Sequence, residues 1–352
     1  MEAKAIKYAA DNGAVIIQCS WGYNSGLANP MDGYTPGPAT EKEWEEAYPL
    51  EKEALDYFIN NAGSPNGVID GGLAIFAAGN EYAAVPGYPG AYSKCISVAG
   101  TAADFTPASY TNYGPEVAIS APGGDLEYYG RIGESDEEYF DSSFTLADAQ
   151  GSILSTLIRN GQPAYGYMDG TSMACPHVSG VAALGLSYAV KLRKHFKAHE
   201  YIELLKESSQ EMYTGYTGNK IYHMNHNIAG TAITKMSLPS YKDKMGAGLV
   251  NAGNLLNEIE GNGSGMIVPN VYVGLEKAES IDLARYFVNG ESLTYTCTMA
   301  DTSIATASVN GTVLTVTGIK AGITKLTVST SNGKSQTVTV TVRKGANDNG
   351  WM

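Results

Sequence analysis

A chain of 352 residues with 43% hydrophobic content is long enough for one large and one small folded domain, and it carries the apolar side chains to bury a core. Its formal net charge of -13 argues against nucleic acid, whose phosphates need basic partners, and against anionic membrane surfaces. Cys19, Cys95, Cys175 and Cys297 form no C-x-x-C pair and no metal-like spacing, so they read as small buried side chains and leave the redox compartment open.

The opening residues Met1-Glu2-Ala3-Lys4-Ala5-Ile6-Lys7 lack the apolar core of a signal peptide, and no run reads as long and apolar enough to span a bilayer. Ala3 to Asn12 has the spacing of an amphipathic helix, Gly13 is its cap, and Ala14 to Cys19 is a buried strand. The chain thus opens inside an α/β repeat. The strand runs into Ser20-Trp21-Gly22, and ligands of open α/β sheets bind beyond the carboxyl ends of strands, which makes these three residues a candidate binding edge. Trp21 reads equally well as core.

A Gly- and Pro-rich loop from Tyr23 to Ala39 precedes an acidic helical segment from about Thr40 to Asn61, whose glutamates read as a solvated face. A second buried strand, Gly72 to Ala77, leads to Ala78-Gly79-Asn80-Glu81. By itself Asn80 is a turn residue; beside a nucleophile its amide would donate to an oxyanion. From Gly124 to Gln150 the chain carries Asp125, Glu127, Glu134, Asp136, Glu137, Glu138, Asp141 and Asp148, read as an acidic surface insertion. Such carboxylates could ligate Ca²⁺, but no D-x-D-x-D-G loop is present and a solvated loop is the favoured reading.

Asp169 to Leu184 places Ser172 where a turn of small residues enters an apolar helix, with Val178, Val181, Ala182 and Leu184 as its buried face. Gly170 permits the sharp turn and a close approach of the backbone to a substrate. Ser172 is then either a capping serine or a nucleophile, since helix N-terminal N–H groups stabilise the charge that acyl transfer develops. The helix continues to a basic patch at Lys191, Arg193, Lys194 and Lys197, read as an exposed helix end.

The block Gly170-Thr-Ser-Met-Ala-Cys-Pro-His-Val-Ser-Gly180 resembles the nucleophile motif of the subtilisin-like serine proteases. Ser20-Trp21-Gly22, Ala77-Ala-Gly-Asn80, Tyr88 to Tyr92, Cys95 to Gly100, Ser109 to Gly114, Val117 to Gly123 and Met245 to Ala252 are similar to further segments of that family, in order, so the resemblance runs from Ala5 to about Glu260. It implies helices around a parallel sheet, a serine endopeptidase acting on protein or peptide substrates, Ser172 as nucleophile and Asn80 as oxyanion donor. Ser20, Trp21, Gly22, Gly79, Gly170 and Thr171 become substrate-side positions.

The family's catalytic Asp and His precede its nucleophile. Here His177, His195, His199, His223 and His226 all follow Ser172, and His177 reads as a packed helix residue. The expectation is an N-terminally incomplete peptidase domain, inactive alone, that belongs to a longer extracellular or cell-surface protease or is completed by a complementary N-terminal segment. A non-catalytic peptide-binding or surface-interaction protein is the alternative from another class. A serine hydrolase of order Ser, Asp, His drawing on Asp243 is weaker, because Ala174 replaces the second Gly of a G-x-S-x-G elbow.

Gly261 to Gly265 reads as a flexible linker. Beyond it, Thr312 to Val316, Thr324 to Val328 and Thr337 to Val342 alternate as half-buried strands, with hairpin signals at Asn310-Gly311 and Asn332-Gly333. About seven short strands predict an all-β sandwich that resembles bacterial Ig-like modules, with Cys297 too solitary for an inter-sheet disulfide. The domain reading is therefore peptidase over 1–260, linker over 261–265 and Ig-like sandwich over 266–345.

Overall fold

Apolar runs at four places in the chain set up a parallel sheet, and the computed structural model, which describes residues 2–125, 128–131, 151–226, 230–265, 268–287 and 290–343, arranges them as neighbours. Two compact units are present: the first comprises 1–63, 71–185 and 198–259, the second 64–70, 186–197 and 260–352.

In the first unit helix α1 (Glu2–Asp11) turns Ile6 inward and ends before Gly13, whose φ of +86° is the left-handed value a glycine cap supplies. Strand β1 (Ile16–Cys19) follows. Helix α2 (Glu41–Ala47) starts on Thr40, whose hydroxyl accepts from Glu43 N, and stops at Tyr48; helix α3 (Pro49–Asn61) restarts at once. The single helical segment expected over Thr40–Asn61 is thus two helices. Pro49 has no N–H to continue the ladder and drives the residue before it out of the helical region, as the φ of -135° and ψ of 54° at Tyr48 record. Nor is the acidic run uniformly solvated. Glu51 is buried, accepts from Trp44 Nε1 (2.8 Å) and Tyr23 Oη (3.1 Å), and its pKa is raised by burial.

Strands β2 (Leu73–Ala77), β3 (Ile96–Thr101) and β4 (Ile119–Pro122) complete the sheet in the order β1-β2-β3-β4, all parallel, with Ile16 beside Leu73, Ile75 beside Ile96 and Val98 beside Ile119. Leu73, Ile75, Ile96, Val98 and Ile119 are buried on one face and Ala74, Phe76, Ser97, Ala99 and Ser120 on the other, the signature of a sheet covered on both faces. The carboxyl ends of β1 and β2 carry Ser20 and the Gly79-Asn80 pair.

Helix α4 (Thr171–Lys191) buries Ala174, Cys175, Val178 and Ala182, whereas Leu184, expected on that face, is 48% exposed. The inward stripe is one of small residues, so a backbone can approach the sheet closely and the larger Leu184 is left outside. With 21 residues and a mean hydropathy of 1.3, α4 is long and apolar enough to cross a membrane, contrary to the expectation; its buried face marks it as a core helix. The basic patch is an exposed helix end only at Lys191, which closes α4 in solvent. Lys194 and His195 lie in a strand, Lys194–Lys197, and both are buried, because Lys194 Nζ donates to Glu260 O and Asn262 O (each 2.6 Å) and His195 Nδ1 donates to Gly67 O (2.7 Å).

In the second unit the strand Lys194–Lys197 is flanked by Ile69–Asp70 and by Ser264–Gly265, so the stretch read as a flexible linker contributes a pairing strand after helix α5 (Ala252–Gly261). Beyond it seven strands among the described residues form two sheets. One orders Val271–Gly274, Ser335–Arg343, Gly322–Thr330 and Tyr295–Met299; the other orders Ala278–Asp282, Val313–Gly318 and Ala305–Asn310. Leu314, Val316, Leu326, Val328 and Val340 fill one shared core. The turns fall where Asn310 pairs with Val313 and Ser329 with Ser335. Cys297 is a free thiol.

Of the acidic stretch after Gly124, Glu127 and the carboxylates from Glu134 to Asp148 lie outside the described residues, and with them the Ca²⁺ reading. Asp125 is described, and it is not on the surface. It is buried against Lys220 Nζ (2.6 Å), Ser109 N (2.8 Å) and Ser109 Oγ (2.6 Å), a cation and two donors that satisfy its charge.

Candidate active site

Two strand ends and one helix start meet here. Ser172 is the second residue of α4, and its Oγ donates to Ser20 O (3.3 Å) just beyond β1. In return Ser20 Oγ donates to Ser172 O (2.7 Å) and accepts from Gln18 Nε2 (2.6 Å). Ser172 O is open to this contact because the residue four positions on is Pro176, which has no N–H to close the helical bond.

Beyond β2, Asn80 Oδ1 accepts from both Thr171 N and Thr171 Oγ1 (each 2.9 Å), and Thr171 Oγ1 accepts from Gly79 N (3.2 Å). Asn80 O accepts from Tyr34 Oη (3.1 Å). The amide is therefore held by its oxygen, and its Nδ2 makes no hydrogen bond to the described residues. Ser172 N–H is likewise uncommitted among them, as first-turn helix donors are. A Cβ added at Gly170 would stand 3.6 Å from Ser172 N and 3.8 Å from both Nδ2 and Oδ1 of Asn80, so both donors lie close to one turn, and the φ of +146° there is what calls for glycine. Two N–H donors around a gap beside a hydroxyl is the geometry that stabilises an oxyanion in acyl transfer.

Ser20, Trp21, Gly22, Gly79, Asn80, Thr171 and Ser172 line one cleft, together with Glu81 and Tyr23. Gly170, expected on the substrate side, is not among its lining residues. Trp21 is 37% exposed with its ring edge-on to Phe76 (centroids 5.3 Å apart), so it is a wall of the cleft seated on the core, uniting its two readings. Gly22 lies against the Tyr88 carbonyl, 3.0 Å from where a Cβ would stand, and Tyr23 N donates to that same carbonyl (2.8 Å).

Sequence reasoning missed the support under the Asn80 loop. Asn112 Oδ1 accepts from Glu81 N (3.0 Å) and Ala83 N (2.9 Å), while its Nδ2 donates to Ala78 O (3.0 Å) and Glu81 Oε2 (2.5 Å). At Gly79 a Cβ would fall 2.3 Å from Asn112 Nδ2, which ties the glycine to this support. The only signal was the polar run Ser109 to Gly114, read for resemblance and not for contacts.

His177, expected to be packed, is exposed on α4, and its Nδ1 donates to Met173 O (2.8 Å), a carbonyl of the preceding turn. The side chains of His223 and His226 lie outside the description. Among the described residues no histidine is hydrogen-bonded to Ser172. Burial raises the Cys175 thiol and pushes Cys19 up to about 12, so the thiols beside the cleft stay protonated and do not compete as nucleophiles. No group of three or more His, Cys, Asp or Glu suited to a metal ion occurs among the described residues.

Comparison with known proteins matches residues 1–263 to the Subtilase family model. The chain is 31% identical over 210 residues to a calcium-dependent protease of a Nostoc species, covering 54% of this chain and 27% of that protein. It is 29% identical over 185 residues to thermitase of Thermoactinomyces vulgaris, covering 52% and 44%, and 32% identical over 136 residues to an extracellular basic protease of Dichelobacter nodosus, covering 38% and 19%. In each case the matched part is less than half the length of the relative. With the family model matching most of its length and these proteases as relatives, the chain belongs to the subtilase family of serine peptidases.

Proposed function

We propose that this chain carries the nucleophile and oxyanion side of a serine endopeptidase that hydrolyses peptide bonds through an acyl-enzyme on Ser172. In this reading Ser172 Oγ attacks the scissile carbonyl, and Ser172 N–H with Asn80 Nδ2 receives the developing oxyanion. Ser20 to Gly22, Gly79 and Thr171 bind the substrate backbone. One observation carries it: Asn80 is clamped through its oxygen by Thr171, so its donor end is presented at the cleft that Ser172 lines.

A general base is still required. We propose that it comes with an N-terminal segment, in this polypeptide or in another, that adds to the open edge of β1; the support is that β1 ends the described sheet and carries the apolar Ile16 and Ile17. The described part by itself is then poorly active. An extracellular or cell-surface setting is proposed on the name of the Dichelobacter relative, and the C-terminal domain read over 266–345, whose seven described strands lie between Val271 and Arg343 in two sheets, is proposed to be an Ig-like module. The second reading, a non-catalytic peptide binder, is favoured by Ser172 Oγ donating to Ser20 O and to no described histidine.

Incubation with a fluorophosphonate probe separates the two. With an N-terminal subtilase segment supplied, covalent labelling that maps to Ser172 and is lost in Ser172→Ala is expected. Binding of a peptide without any labelling, even with an N-terminal subtilase segment supplied in trans, refutes the catalytic reading and leaves the binder.

A further inference from the structure

Tyr110 stands between the two halves of the site without lining its cleft. Its Oη accepts from Gly170 N (2.8 Å), the residue that opens the nucleophile turn, and donates to Gly124 O (2.7 Å). Its backbone carbonyl accepts from Tyr82 N (3.1 Å), two residues past Asn80. One residue therefore touches both the segment that presents Ser172 and the loop that presents Asn80.

The surroundings are shaped for a hydroxyl. A Cβ at Gly123 would stand 2.7 Å from Tyr110 Oη and one at Gly100 3.3 Å, so two strand-end glycines make room for it. Burial raises the phenol's pKa well above its ordinary value, so the group stays a neutral O–H that both gives and takes a hydrogen bond. The residue before it is anchored as well: Ser109 donates twice to Asp125, whose charge Lys220 neutralises while also donating to Pro107 O (2.6 Å). A buried charged pair thus fixes the main chain just before Tyr110 and just after Gly124.

We propose that Tyr110 is a positioning residue for the nucleophile: its hydroxyl fixes Gly170, and through it the Thr171–Ser172 turn, at a set distance from the Asn80 loop. The consequence for catalysis rests on the reading of Ser172 given above; the consequence for backbone order does not. A phenylalanine would keep the ring and its packing but lose both hydrogen bonds, leaving Gly170 N with its remaining acceptor, Gly123 O (3.0 Å).

The test uses the full chain and its Tyr110→Phe variant, with two readouts. Amide hydrogen exchange is followed for residues 169–173 and, as an internal control, for 73–77. The expected result is exchange about tenfold faster over 169–173 in the variant with the control strand unchanged, since local opening is reported separately from global unfolding. A merely structural role would loosen both regions. The second readout is the fluorophosphonate labelling rate of Ser172, expected to fall about tenfold because a misplaced reacting group loses its orientation.

Unchanged exchange over 169–173, or equal loosening of both regions, overturns the proposal whatever the labelling shows. Faster exchange with no labelling of the parent chain, even with an N-terminal subtilase segment supplied in trans, keeps the positioning role and sinks the catalytic reading instead. Should Tyr110→Phe fail to fold, Gly100→Ala, whose methyl would stand 3.3 Å from the same hydroxyl and only in ordinary contact with the Thr171 side chain at 3.6 Å, is expected to give the same local exchange signature, and its absence there also overturns the proposal.

Discussion

Buried carboxylates in this molecule are legible only through their partners, and Glu51 is a carboxyl with no cation among the partners that hold it. Its two oxygens are held by Trp44 Nε1 and Tyr23 Oη, neutral donors that offset burial only in part, so its pKa is raised above 4.5. A carboxyl with a raised native pKa holds its proton more tightly folded than unfolded. Its contribution to stability is full below about pH 4.5 and is lost as pH rises through the native value. Glu51→Gln keeps an acceptor for Trp44 and removes the charge. It is expected to melt with the parent chain at pH 4 and about 2–4 °C higher at pH 8; a scan showing equal midpoints at both pH values would refute this. Asp125 is the contrasting case, with Lys220 at 2.6 Å. Neither was visible in the sequence, because the acceptors of Lys220 lie 95 and 113 positions away and Tyr23 lies 28 from Glu51. Asn80 was visible because it follows Gly79 at the end of an apolar run, and Ser172 because it stands two residues after Gly170 where an apolar helix begins, both local signals.

At the scale of the element, Pro176 is the residue that makes α4 more than a core helix. It removes the N–H that would close on Ser172 O, and Ser20 Oγ takes that carbonyl instead, which couples the helix start to the end of β1. Pro176→Ala restores the helical donor and relieves a residue that costs a helix interior about 3 kcal/mol. The thermal midpoint is therefore expected to hold or rise. The restored bond competes with Ser20, so the labelling rate at Ser172 should fall several-fold; an unchanged rate would mean that the Ser20 contact does not tune the nucleophile. The parallel strands were legible because a strand buried on both faces is one unbroken apolar run. The helix break was written at Pro49 and overridden by the acidic periodicity around it. The small-residue face of α4 was misread because Leu184 is more hydrophobic than Ala174 or Cys175, whereas close packing on the sheet rewards the smaller side chains.

For the whole molecule, composition divides the chain along its length near 260, while the compact units interleave, with 64–70 and 186–197 grouped with the C-terminal strands. The physical reason is Lys194. A lysine run reads as solvated, yet this side chain is buried, its pKa lowered by burial, and its ammonium is satisfied by carbonyls of Glu260 and Asn262 at the very boundary. The strand that contains it is also paired, His195 with Ser264 and Lys194 with Gly265. Ending the chain after Glu260 removes Asn262 O and that pairing strand; ending it after Gly265 keeps both. Arg193 loses Glu291 in either case, so that exposed-side pair cancels from the comparison. Stripping an acceptor from a buried charged donor costs about 1–3 kcal/mol, and the lost ladder adds to it. The product ending at residue 265 is therefore expected to melt measurably above the one ending at 260, by about 4 °C or more in differential scanning fluorimetry. Equal midpoints would mean that the peptidase sequence closes its own structure by Glu260 and that the glycine-rich stretch is a spacer; a gap of the expected size makes the same five residues part of the fold.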